Sequence, residues 1–379
     1  MRSSHDDLCT EMAVAPAFRR VDGPAPARQS FAAMRVPLLV GVILTSALGA
    51  CASARSGVPL APLAPIQEEP LTPESSTIGL RKSVVADQYF WLRAKALEGE
   101  APAPFAEALA AMRDLRADLA PDPTAWEDLE VPLGAVQRAS ELAKIYQALP
   151  ASRDVGGRPV QLRDHAVKLA HAMAASEDAF RRGPFREHSD DIARAAKDLS
   201  GTLLPKVEEI LHAVEVDMAL PGIQRSIMVT LVADAPYPGI FAADARGHAT
   251  ASFVRVRGLE GGALVETVLH ESLHAIDELT VRSPTAMNML RGALQERGID
   301  AKNPNVEMAV NTVTFAEAAS LVRRFIDPAH KPLGESGFYV LYPPARAIVA
   351  AWDRHVAGES LDATADAIAR AVAQPDDAP

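Results

Sequence analysis

The chain has 379 residues, 48% of them hydrophobic and 23% charged, with a formal net charge of −11. That length is enough to bury a sizeable core in one or two domains, and the composition is that of an ordinary globular protein. The acidic balance supplies no basic stripe to neutralise phosphates, which excludes a nucleic-acid partner.

Residues 1–33 mix acidic and basic side chains with several prolines and show no apolar period. Residues 34–51 read MRVPLLVGVILTSALGAC: Arg35, an apolar run too short to span a bilayer comfortably, then small residues before Cys51. That is the layout of an export signal, and LGAC, residues 48–51, resembles the lipobox of bacterial lipoproteins. The resemblance implies that residues 34–50 are a signal peptide and that Cys51 is acylated, anchoring the protein to a membrane while the folded part stays in water. It also implies a cell-envelope location, with Ala52 leaning toward the outer membrane facing the periplasm. A start at Met34 would make residues 1–33 an over-long gene start. Cys9 and Cys51 are the two cysteines, so acylation of Cys51 leaves no disulfide to form. Residues 51–78, rich in Pro, Ala and Ser, read as an extended tether.

Residues 79–220 read as a helical region. VVADQYFWLRAKALEG, PFAEALAAMRDLRADL, LGAVQRASELAKIYQAL, QLRDHAVKLAHAMAASEDAFRR and SDDIARAAKDLSGTLLPKVEEILHAVEVDM all place apolar residues at three- and four-residue spacing. Nothing repeats at a fixed period, which argues against a solenoid. Residues 221–371 change character. SIMVTLVAD (226–234) and HATASFVRVRG (248–258) read as strands, APYPGIFAADARG between them as loop, and helices are expected at about 263–279, 285–297, 304–326 and 343–357. Residues 372–379 read as a loose tail. The expected fold class is α+β: a helical N-terminal region, then a domain with a small sheet packed ahead of a central buried helix.

That central helix carries ETVLHESLHAIDEL, residues 266–279. His270 and His274 lie four positions apart, about 40° around a helix, so both imidazoles can meet one ion. Zinc suits two neutral imidazoles and an oxygen ligand with one place left for water. Glu271 is about 100° off that axis, better placed beside the water as a general base than on the metal. Asp277 shares the face of His270 but lies too far along the axis to ligate with it, so a supporting hydrogen bond to a histidine is expected of it.

HESLH, with uncharged Thr267, Val268, Ser272 and Leu273, then Ala275 and Ile276, and no proline, resembles the extended HExxH motif of the zincin metallopeptidases. The resemblance covers about a sixth of the chain. It implies a zincin-like catalytic domain, Zn2+ held by His270 and His274, and a peptide or protein substrate. The longer signature with a further histidine fails, since Thr280 stands there. Carboxylates remain for the third ligand. Glu317 sits on the apolar stripe of the 304–326 helix between alanines, where a charge is costly unless it is paired or metal-bound. Glu307 falls on the polar side with Asn311 and Thr314, in a first turn capped by Asn303 and opened by Pro304, where the helix dipole explains it. Glu317 is therefore the expected third ligand, with a buried ion pair to Arg323 or Arg324 as the other reading. This resembles the gluzincin branch, with Ser320 in the position of a supporting residue. Leu321 and Ala316 stand where that branch often has aspartate and asparagine.

Two further expectations follow from the resemblance. HATASFVRVRG would be an edge strand binding substrate through its backbone. Tyr339, Tyr342 or His330 would reach over the metal to stabilise an oxyanion. The rival to a zinc-dependent hydrolase is a non-catalytic envelope lipoprotein that uses a zincin-like scaffold as a protein-interaction module.

Overall fold

The computed structural model describes residues 77–97, 102–119, 123–155, 157–220, 222–223, 226–243, 249–279, 285–300 and 303–373. The export signal, Cys51 and nearly all of the tether lie outside these residues, and so does the tail from 374 onward. No helix among the described residues is long and apolar enough to cross a membrane.

The architecture is α+β, mostly helical around a small mixed sheet. Strands β1 (Ile78–Lys82), β4 (Ile227–Val232), β5 (Gly239–Ala243) and β6 (Thr250–Arg255) form one sheet in the order β1-β4-β6-β5. β1 and β6 each run parallel to β4, and β5 runs antiparallel to β6. A small hairpin, β2 (Arg153–Val155) with β3 (Arg158–Val160), stands apart.

The helices of eight residues or more are α1 (Val84–Lys95), α2 (Ala106–Leu119), α3 (Ala139–Tyr146), α4 (Leu162–Arg182), α5 (Pro184–Thr202) and α6 (Val207–Asp217) ahead of β4. After the sheet come α7 (Gly261–Leu279), α8 (Ala286–Glu296), α9 (Pro304–Phe325), α10 (Ala345–Val356) and α11 (Leu361–Ala373). Asn303 caps α9 with its side chain accepting from the Asn305 N–H, as the Asn-Pro start predicts.

The sheet separates two apolar layers. Val229, Leu231, Phe241 and Val254 face the layer of α7, α9 and α10. Val232, Ile240, Ala251 and Phe253 face the layer built by α1 to α4. Phe253 meets Phe90 of α1 with ring centroids 4.9 Å apart. Burying an aromatic or branched side chain of this size stabilises by roughly 1.5–3 kcal/mol, so the N-terminal helices are a structural half of the sheet's core.

Several expectations change. The residues just after 77 are a strand, and β1 joins the sheet beside β4, so the sheet draws on chain from both sides of residue 220. Residues 189–218 divide at Pro205 into α5 and α6, because proline removes a helix hydrogen bond and clashes with the preceding turn. The run taken for loop holds β5, whose prolines Pro236 and Pro238 precede the strand rather than interrupt it. β6, expected at the edge, is interior, and β5 is the edge beside it. The C-terminal helix α11 was not foreseen, and it takes in Val372 and Ala373 from the expected tail.

Candidate metal centre

Helix α7 is buried along nearly its whole length and packs on β4, β5, β6 and α9. Its buried hydroxyls are satisfied within the helix: Thr267 donates to the Ala263 carbonyl at 2.9 Å and Ser272 to the Val268 carbonyl at 2.7 Å. Ser252 of β6 donates to the Glu271 carbonyl at 3.3 Å, tying the motif to the sheet.

The two imidazoles converge as their spacing predicts. His270 Nε2 and His274 Nε2 are 3.1 Å apart. Two ligands on a tetrahedral zinc, each at about 2.0–2.1 Å, would be about 3.3 Å apart. Each ring lies against a phenylalanine: Phe315 of α9 stacks on His270 at 3.9 Å between centroids, and Phe241 of β5 stacks on His274 at 5.6 Å. Burial, then the neighbouring His274, holds the pKa of His270 well below the usual imidazole value, with a backbone hydrogen bond at Thr314 opposing them. Burial likewise brings His274 down to about 4. Both rings are thus neutral at neutral pH, the form that ligates metal.

Glu271 is 1% exposed, and its Oε1 lies 3.9 Å from His270 Nε2. Its Oε2 has no hydrogen-bond partner among the described residues. Burial raises its pKa well above the ordinary carboxylate range; a nearby cation is the kind of partner that lowers such a value again. The carboxylate fits because Gly239, at the start of β5, has no side chain: a Cβ there would stand 2.1 Å from Oε1.

The third expected ligand is elsewhere. Glu317 accepts a hydrogen bond from Trp352 Nε1 at 2.8 Å and one from Arg324 Nη2 at 3.3 Å. Arg324 also pairs with Asp217 at the end of α6. Among the described residues, no third His, Cys, Asp or Glu joins the histidine pair. A polar side chain of α9 does reach it: Asn311 Oδ1 lies 3.2 Å from His274 Nε2. Glu317 is six residues farther along, about 9 Å up the helix and 120° around it. The ion-pair reading of Glu317 describes its surroundings, with Arg324 as the partner. Ser320 is buried nine residues beyond Asn311, on about the opposite side of the helix.

Asp277 is bound by Arg291 of α8, with Nη2 to Oδ2 at 2.8 Å and Nη1 to Oδ1 at 3.4 Å, and its charge pulls the pKa of His274 upward against burial. Arg291 Nε also lies 3.6 Å from Glu307. Tyr342 donates to the Asn305 carbonyl at 3.3 Å, and the buried Tyr339 hydroxyl has no partner among the described residues. Both tyrosines contact Phe338, which stacks on Phe315, so they stand behind the phenylalanine that covers His270. His330 pairs with the buried Glu266, which also accepts from the Leu333 N–H at 3.0 Å; this pins the loop after α9 to α7.

Asn311, Phe315, Phe241 and Gly239 were not singled out from sequence. The available signal was the polar side of α9, where Asn311 already aligned with Glu307 and Thr314. No protein-family model, curated protein or solved structure matches the chain.

Proposed function

We propose that the protein is a zinc-dependent peptide-bond hydrolase of the bacterial cell envelope, anchored through Cys51 and similar to the gluzincin branch of the zincins. The observation that carries this reading is the convergence of His270 and His274 at 3.1 Å with the Glu271 carboxylate 3.9 Å away. His270 and His274 would hold the zinc. When bound, the metal supplies Lewis acidity to a water and to the scissile carbonyl.

The chain's own residues do the rest. Glu271 accepts the proton of the attacking water and returns it to the leaving amine nitrogen. Gly239 leaves the space in which that carboxylate sits, and Phe241 and Phe315 fix the planes of the imidazoles. β5 is the edge strand beside α7, and its residues Ile240–Ala243 are buried, with the short helix Glu127–Glu130 packed against the strand.

The test is zinc analysis and peptide hydrolysis by the full chain. One zinc per chain and cleavage of an unfolded protein such as casein are expected, with Glu271→Gln abolishing cleavage while zinc remains. Full cleavage by that variant would sink the mechanism. A second reading, a non-catalytic interaction module, is favoured by one observation: the pair's neighbour on α9 is a neutral amide that can bond to His274 without a metal. A wild-type chain that takes up no zinc would decide for it.

A further inference from the structure

We infer that Asn311 is the third protein donor of this centre, so that the metal would be held by two imidazole nitrogens and one amide oxygen; this rests on the hydrolase reading above. Two short spacings share one atom: His274 Nε2 lies 3.1 Å from His270 Nε2 and 3.2 Å from Asn311 Oδ1. Both spacings are close to the edge of about 3.3 Å expected between ligands of a tetrahedral zinc. His274 Nε2 has a single site, a proton or a lone pair, so without a cation it can satisfy only one of its two short contacts. A single cation facing all three atoms satisfies every one.

The position of Asn311 is built. It is 4% exposed on a helix whose surrounding residues are buried, where an amide is costly to desolvate without a partner. One turn on, Phe315 covers His270, and one turn back, Glu307 approaches Arg291, which holds Asp277. Three rungs one turn apart therefore fix Asn311 opposite His274.

The chemistry that follows is distinctive. All three donors are neutral, so none of them offsets the cation's charge; the carboxylates of Glu271 and Asp277 act on the histidines from beside the donor set. Such a set binds zinc less tightly than one completed by a carboxylate and leaves the ion a stronger Lewis acid. Asn311→Asp should therefore tighten binding.

The experiment is a zinc titration against a competing chelator with the full chain as wild type, Asn311→Ala, Asn311→Asp and Glu317→Gln, together with visible spectra of the cobalt-substituted proteins. Loss of a supporting residue weakens a metal by about 10–100-fold, so loss of a direct donor should exceed about 100-fold in Asn311→Ala. Asn311→Asp should bind more tightly and shift the cobalt bands, and Glu317→Gln should match wild type. If wild type binds zinc and Asn311→Ala binds it equally well, the inference is overturned while the hydrolase reading stands. If Asn311→Ala does not fold, unchanged affinity and an unchanged cobalt spectrum in Asn311→Asp overturn it equally. A wild-type chain that binds no zinc removes the hydrolase reading and this inference together.

Discussion

The imidazole of His274 meets the side-chain oxygen of Asn311 at 3.2 Å, across two helices that run antiparallel. The neighbouring rungs fix that direction: Phe315 lies over His270, and Glu307 and Asp277 share Arg291. The stacked Phe315 is the rung most open to test. Phe315→Ala would free the His270 ring to rotate, and zinc affinity should fall by about 10-fold, the lower end for loss of a residue that orients a ligand. Chelator competition measures this, and an unchanged affinity would show that the stacking does not orient the ring.

Asp87 joins the N-terminal helices to the sheet. Its carboxylate, fully buried on α1, accepts from His188 Nδ1 of α5 at 2.6 Å and from the Ala233 N–H just past β4 at 2.7 Å. Asp87→Ala leaves the Ala233 N–H without its partner and His188 with only its longer contact to Asp234 at 3.5 Å, a loss of about 3–5 kcal/mol for a broken buried pair. Thermal unfolding should show a single transition at markedly lower temperature, because both apolar layers share the sheet. Two separate transitions, with the later one unmoved, would mean that the two layers unfold independently.

Glu317 should affect stability and its pH dependence instead of metal binding. Burial first, and the adjacent Asp217 second, push its pKa from the ordinary 4.5 up to about 8, against the pull of Trp352 and Arg324. The folded state therefore holds a proton that the unfolded chain has lost between those two values. Its contribution to stability is fully present below about pH 4.5 and is lost as pH rises toward 8. In Glu317→Gln that dependence disappears, so the difference in melting temperature between variant and wild type should grow in the variant's favour from pH 5 to pH 9. A constant difference across that range would place the proton elsewhere.

The legible part of the site was the part held in one helix. His270, Glu271 and His274 are fixed relative to one another by 3.6 residues per turn, so their meeting could be read from spacing. A buried carboxylate needs a partner, and for Glu317 one of them, Arg324, lies on its own helix; Trp352 and Asp217 come from other helices, and local sequence does not show which distant helix arrives. Asn311 was visible as a polar position on α9, yet whether a polar face meets solvent or another helix is decided by tertiary packing. β1 is a five-residue strand whose partner begins 149 residues later, and no local signal marks such pairing. β5 was hidden by Pro236, Pro238 and Gly239, which read as turn residues although the prolines precede a strand that Gly239 opens.

Gly239 gives the sharpest test of the catalytic assignment. An added Cβ would stand 2.1 Å from Glu271 Oε1, 2.7 Å from Cδ and 2.9 Å from Cγ, so the whole carboxylate must shift. Glu271 is 1% exposed and its surroundings are packed, which leaves little room for the shift. The three atoms nearest the added Cβ all belong to Glu271, so Gly239→Ala should keep its zinc. Misplacing a catalytic group by about 1 Å lowers rate by about 100-fold, and the loss should fall on kcat with KM little changed. Gly292→Ala in α8 is the control, because a Cβ there meets nothing within 4 Å. That change should leave activity intact and stabilise by roughly 0.4–1 kcal/mol through helix propensity and a less flexible unfolded chain. Equal activity in the two variants would remove Glu271 from the role of general base.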